Sequence, residues 1–386
     1  MIGKERLYLL IIAASLLSLA GAARAFSNPS SRVEKIGTAL SEAMVHCPTR
    51  IWGDFNFRDV QVVLTNPASQ NAWIWNSSEA PNRLIETNKS LVPTATNTAE
   101  FDISQWRERK TVAVSLRNPN SKNGALADDA FGLAVHEAFH AYGQTHWMAR
   151  GDSNRGVLYP LSSSERYYRR LILLALRDAF VNPVHESQAL AAASFWWNKL
   201  LKTGSPELAR FQHYDAIEGS ARTVEVLASA IAALGCDATD AAVLELLRNK
   251  IDALLRYLSF EGTLTQIETE YYDLGLLAVL LLRKRNGQNW EKNVVSGTTP
   301  IELLLGSVFP LPQPEQPELQ THFQEFVANQ NKAIGEMANP FLEAYQSPNS
   351  ILISAPVNWV AGSLSGGGFV LSTLIPTATL ILNSKI

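Results

Sequence analysis

Hydrophobic and polar positions change their spacing twice along the chain. Residues 26–46 place Val33, Ile36, Leu40 and Met44 on one stripe, which predicts a helix. Three short runs rich in β-branched and aromatic residues follow: Val60 to Leu64, Ala72 to Trp75 and Thr111 to Leu116. Each is bounded by Asn, Pro or Ser, as strands are. From Asp128 to about Leu282 the period becomes helical. The predicted helices are Asp128 to Gly143, Ser163 to Phe180, Val184 to Leu201, Asp215 to Leu234, Thr239 to Leu258 and Gln266 to Leu282. The run Leu274 to Leu282 is apolar apart from Gly275, but it is too short for a bilayer and reads as a buried helix. Residues 310–318 are a Pro-rich connector, Leu319 to Tyr345 a last helix, and the alternating segments around Gly366 to Gly368 a small β element. No internal repeat is visible. Strands first, then many helices, then a little β predict an α+β fold: a small N-terminal mixed sheet (26–125), a mainly helical subdomain (126–309) and a C-terminal portion (310–386) with a short β element.

The first 25 residues stand outside this pattern. Lys4 and Arg6 precede an apolar stretch from Leu7 to Ala20, and Ala23-Arg24-Ala25 offers small residues at a cleavage site. This is the layout of a signal peptide (1–25). The apolar stretch is short for a membrane span, so no stable span is expected after cleavage, and the chain is expected to be exported to a bacterial periplasm or secreted. An uncleaved anchor is the plainer alternative.

Composition narrows the function classes. The 386 residues carry 33 Lys+Arg against 36 Asp+Glu, a net charge of −3, with 46% hydrophobic and 18% charged residues. That is a chain able to bury a core, without the basic footprint that nucleic acid demands. The two cysteines, Cys47 and Cys236, are too few for a four-ligand structural zinc site; a disulfide and two buried thiols are both open.

The stretch that carries chemistry is His136-Glu137-Ala138-Phe139-His140. Histidines at i and i+4 share one helix face, so both imidazoles reach one metal ion. Glu137, about 100° round the axis, is placed to take the proton of a metal-activated water as that water attacks a carbonyl. Asp128 or Asp129 suits the N-cap and Gly143 the stop. The bland alternative is two helix histidines satisfied by hydrogen bonds.

A catalytic zinc takes three protein ligands and keeps one open position. Two residues compete for the third place. His146 completes the metzincin spacing with Gly143, yet that pattern also includes a Met-turn, and no Met occurs between Met148 and Met337. Glu218, in Asp215-Ala216-Ile217-Glu218-Gly219-Ser220-Ala221, would come from a second helix, with Gly219 and Ala221 allowing close approach. Asp215 and Glu225 share its face as candidate acceptors for the ligand imidazoles. A surface pair between Glu218 and Arg222 is the plain alternative.

From about Cys47 to Leu305 the chain resembles bacterial exported zinc peptidases of the gluzincin type. The resemblance lies in Cys47-Pro48 with Ile51-Trp52, in His136 to His140, in Glu186 to Leu190 and in Glu218-Gly219-Ser220-Ala221. It continues in Tyr272-Asp273-Leu274-Gly275, Trp290 and Leu303 to Leu305. It implies a zincin-like domain, His136, His140 and Glu218 as zinc ligands, and Glu137 as general base. It gives His146 no role, and Thr223 departs from the aromatic common at that place. It also implies Tyr272 as donor to the oxyanion, and a substrate-pairing edge strand at Thr111 to Leu116, as in zincins generally. A Tyr packed at a helix start is the plain alternative for Tyr272, and Tyr271 and Tyr142 are the reserves. Trp73, Trp75, Trp196 and Trp197 are candidates for pockets, the last two more simply core; His185-Glu186 reads as helix N-terminal polarity rather than a metal site.

The expected function is that of an exported zinc metallopeptidase acting on a peptide or protein. The alternative is a non-catalytic or latent zincin scaffold that binds a partner.

Overall fold

The computed structural model describes residues 29–93, 100–116, 126–148, 160–255, 270–285 and 289–346. The leader expected over 1–25 and the β element expected from Ile351 lie outside them. The architecture is α+β, with a five-stranded mixed sheet on the N-terminal side of a helical body.

Helix α1 (Pro29–Leu40) runs into a π turn (Ser41–His46). Strands β1 (Val60–Thr65), β2 (Asn71–Trp75), β3 (Leu84–Asn88), β4 (Phe101–Trp106) and β5 (Arg109–Ser115) form a sheet in the order β3-β2-β1-β5-β4. Only β1 and β5 are parallel; Val62 sits between Trp75 and Val112 in the register. Side-chain alternation divides the sheet faces. Val60, Val62, Leu64, Trp73, Trp75, Val112 and Val114 join the main core, whereas Val63, Ile74 and Ala113 form a small cluster on the opposite face.

The expected edge strand is corrected here. Residues 111–115 pair on both sides, with β1 and with β4, so the outer strand near the candidate site is β4. Trp73 and Trp75 are buried in the core rather than lining a pocket.

Among the described residues, the helical body consists of α2 (Asp129–Ala138), α3 (Ser163–Val181), α4 (Glu186–Lys202), α5 (Glu207–Leu234), α6 (Asp240–Leu254) and α7 (Glu270–Lys284). Two short helices, α8 (Trp290–Val295) and α9 (Pro300–Leu305), and the long α10 (Pro317–Gln346) complete it. Local chemistry sets several ends. The Asp128 carboxylate accepts from Ala130 N–H at 3.0 Å and caps α2. Thr299 and Glu302 make a capping box at α9. Gly235, at φ +84°, ends α5. Helix α5 starts at Glu207 instead of Asp215, so the helix bearing Glu218 is longer than its apolar period suggested.

Two devices fix how these helices meet. Cys47 and Cys236 form a disulfide with Cα atoms 5.7 Å apart, tying the turn before the sheet to the end of α5. Helices α5 and α7 cross backbone to backbone: a Cβ on Gly219 would lie 2.3 Å from the Gly275 Cα. Gly219 therefore serves the approach of α7, not that of the α2 helix. Among the described residues, no helix is long and apolar enough to cross a membrane.

Candidate metal centre

Helix α2 ends in a π turn (Phe139–Gly143), so His136 and Glu137 lie in regular helix and His140 in the wider turn that follows. The two imidazoles converge: their Nε2 atoms are 3.0 Å apart and the rings meet at 74°. Glu218 reaches them from α5, with Oε2 3.0 Å from His140 Nε2 and 3.5 Å from His136 Nε2. Among the described residues these three are the group of His, Cys, Asp and Glu whose donors lie within 4.8 Å of one another. His146 is exposed in the turn beyond Gly143 and is not one of them.

The donor set suits a small divalent cation. Donors at 2.0–2.1 Å in a tetrahedron around zinc stand about 3.3 Å from one another, and the three separations here bracket that value. The protons also fit. The Gln144 amide nitrogen donates to the Ile217 carbonyl at 2.9 Å, which turns its oxygen toward His140 Nδ1 at 2.6 Å. Nδ1 then carries the hydrogen, and in the neutral ring the Nε2 lone pair faces a carboxylate oxygen. Two acceptors this close need a cation between or beside them.

Glu225, two turns along α5 from Glu218, places Oε2 3.3 Å from His136 Nδ1, out of line for a hydrogen bond. Room for its carboxylate comes from Gly132 on α2, where a Cβ would sit 3.1 Å from Glu225 Oε1. Burial disfavours the protonated form of His136, but Glu218 and Glu225, with help from Glu137, outweigh it and raise its pKa from 6.5 to about 9. In the metal-free chain the proton on His136 is the cation that this acidic setting requires. Arg222 pairs with Glu225 and donates to the Leu254 carbonyl at 3.0 Å, rather than pairing with Glu218.

Asp215 does not orient a ligand imidazole. It accepts two hydrogen bonds, at 3.0 and 2.8 Å, from Arg169 of α3. Helical spacing put it on Glu218's face, but a buried guanidinium claims it.

Tyr272, in the first turn of α7, lies over His136 with ring centroids 5.8 Å apart and planes 29° from parallel. A cavity of about 540 Å³ opens on this side of the centre, with His136, Glu137, Glu225 and Tyr272 in its wall. Of the two reserves, Tyr271 packs under Arg169 and against Tyr214, and its hydroxyl pKa is pushed up chiefly by burial. The Tyr142 hydroxyl is used between β4 and β5: it accepts from Thr111 N–H at 2.9 Å and lies within 3.0 Å of the Ser104 and Thr111 carbonyls. His185 is exposed at the start of α4, where Glu186 pairs with Lys284 at 2.5 Å. Trp196 is buried in the core; Trp197, also buried, borders a second cavity by α9 instead of the metal centre.

Gln144 is the site residue the sequence reading missed. A glutamine four residues past a motif histidine carries no signature, although i,i+4 spacing would have placed it beside His140. No protein-family model, curated protein or solved structure matches the chain.

Proposed function

We propose that this chain is a zinc-dependent hydrolase that cleaves peptide bonds, with His136, His140 and Glu218 as the protein ligands. The carrying observation is the convergence of these three donors, one of which, His136, stands in the wall of a cavity that Glu137 also lines. Zinc held there would supply Lewis-acid polarisation of a carbonyl and would lower the pKa of a water toward about 7. Glu137 accepts the proton of the attacking water and delivers it to the leaving amine. Tyr272, stacked on His136 at the cavity wall, donates to the oxygen that becomes negative as the carbonyl is attacked. Gln144 holds the His140 ring by its outer nitrogen, and Glu225 sets a negative charge 3.3 Å from the outer nitrogen of His136.

The leader pattern in 1–25 supports export, and the Cys47–Cys236 disulfide is of a kind that persists in oxidising compartments. The test is Glu137→Gln. Zinc content should stay at one per chain while peptide hydrolysis falls by about 10²–10⁴-fold, the usual share of general acid–base catalysis. A variant that binds zinc and cleaves at the parent rate would overturn the assignment of the base. A wild-type chain that binds zinc and cleaves no peptide would leave the partner-binding scaffold as the better reading.

A further inference from the structure

We propose that Gln144 is a positioning residue that decides which nitrogen of His140 carries the proton, and so aims the other nitrogen's lone pair at the metal position. The π turn brings it there: Gln144 N–H bonds the Phe139 carbonyl at 2.9 Å, five residues back, and the side-chain amide reaches His140 Nδ1. Gln144 is buried, at 8% exposure, so water does not compete for its amide.

The argument turns on a carbonyl that can only accept. Ile217 O lies 2.9 Å from Gln144 Nε2, which makes that atom the amide nitrogen. Reversing the amide would set oxygen against oxygen. With the nitrogen fixed, Oε1 is the atom 2.6 Å from His140 Nδ1, and an amide oxygen can only accept. Nδ1 must donate, and in the neutral ring this leaves the His140 Nε2 lone pair toward Glu218 Oε2, 3.0 Å away. Ile217 immediately precedes Glu218 on α5. One buried amide therefore joins the ring orientation of His140 to the helix that delivers the third ligand. Leucine matches glutamine in size but gives neither bond. Glutamate keeps the acceptor for Nδ1, but its second oxygen must turn away from the Ile217 carbonyl, so the link to α5 is lost.

The tautomer follows from the protein alone; its consequence for zinc rests on the metal reading above. The experiment uses the full chain. Long-range proton–nitrogen NMR on the metal-free protein reads the tautomer of neutral His140, and competition with a chromophoric chelator reads zinc affinity. The wild type should show hydrogen on Nδ1. Gln144→Leu should lose that preference and bind zinc about 10- to 100-fold more weakly, and Gln144→Glu, which keeps only the acceptor, should restore the Nδ1 hydrogen and part of the affinity. A wild-type His140 with hydrogen on Nε2 overturns the proposal, whether or not the leucine variant folds. So does a folded Gln144→Leu that keeps both the Nδ1 hydrogen and zinc affinity within twofold. If the wild type shows the expected tautomer and takes up no zinc, the metal reading fails while the role of Gln144 in setting the ring stands.

Discussion

His136 carries two opposed demands: burial resists charge on the imidazole, and the carboxylates of Glu218 and Glu225 call for it. The carboxylates win, so its folded-state pKa, about 9, lies above the 6.5 of an unperturbed ring. The sign follows from linkage. A proton held more tightly by the folded state stabilises the metal-free fold fully below pH 6.5, and that stabilisation is lost as pH rises through about 9. At 1.36 kcal/mol per unit, the amount is about 3 kcal/mol. Zinc must displace the same proton, so its affinity should climb about tenfold per pH unit across this window. Thermal midpoints of the metal-free chain and chelator competition at stepped pH check both trends; a zinc affinity flat from pH 6.5 to 9 would mean His136 is already neutral. At this scale much was legible. The i,i+4 histidines, Glu137 and the two glutamates of α5 all follow from helical spacing. Choosing Glu218 over His146 was not derivable from spacing, since it depends on which backbone turns toward the imidazoles after Gly143.

The crossing of α5 and α7 decides where Glu218 and Tyr272 stand relative to each other. It depends on two glycines in contact, and a Cβ on Gly275 would meet the Asp215 carbonyl at 2.3 Å and the Gly219 Cα at 2.4 Å. Alanine in a helix interior is ordinarily worth about 1 kcal/mol over glycine. Here the contacts are backbone, with no flexible side chain to yield, so the helices must separate. Gly275→Ala should destabilise by about 1–3 kcal/mol or more, the cost of overpacking, and should weaken zinc binding by moving Glu218. Denaturant midpoints together with zinc affinity test this; a variant as stable as its parent would show that the crossing can open. The pairing of these glycines is hidden in the sequence, where Gly219 reads equally well as room for the helix of His136. Strands β3 and β4 were missed for a related reason. Neither is fully buried, and Leu84–Asn88 and Phe101–Trp106 mix polar residues among few β-branched ones. What makes them strands is pairing with β2 and β5, a tertiary fact. The buried strands, by contrast, announced themselves as runs of Val, Ile and Trp.

Behind the metal centre, α3, α5 and α7 are joined by ions that water does not reach. Arg166 bonds Glu207 and Glu270, while Arg169 bonds Asp215 and Glu270, and the side chains of all five are at most 4% exposed. Phe211 and Tyr271 lie under the Arg169 guanidinium at 4.1 and 5.4 Å. Burial opposes the charge on Arg169, but Asp215 and Glu270 hold it firmly cationic. No sequence pattern revealed this cluster: arginines on an amphipathic helix look like a solvated face, and the partner Asp215 lies 46 residues away. Desolvating such ions costs nearly what their attraction returns, so the cluster is expected to give specificity of contact more than net stability. That distinction can be measured. Arg169→Met leaves Asp215 facing no cation in a buried site and should cost about 3–5 kcal/mol. Arg169→Met with Asp215→Leu removes both charges, leaves Arg166 on Glu270, and should recover a large part of the loss. Asp215 precedes Glu218 by one turn, so zinc affinity should fall in the single variant and return with stability in the double. Equal destabilisation of the two variants would mean that the ion cluster supplies stability outright. A double variant that regains stability without zinc would mean that Asp215 is needed where it stands to hold Glu218 in reach of the histidines.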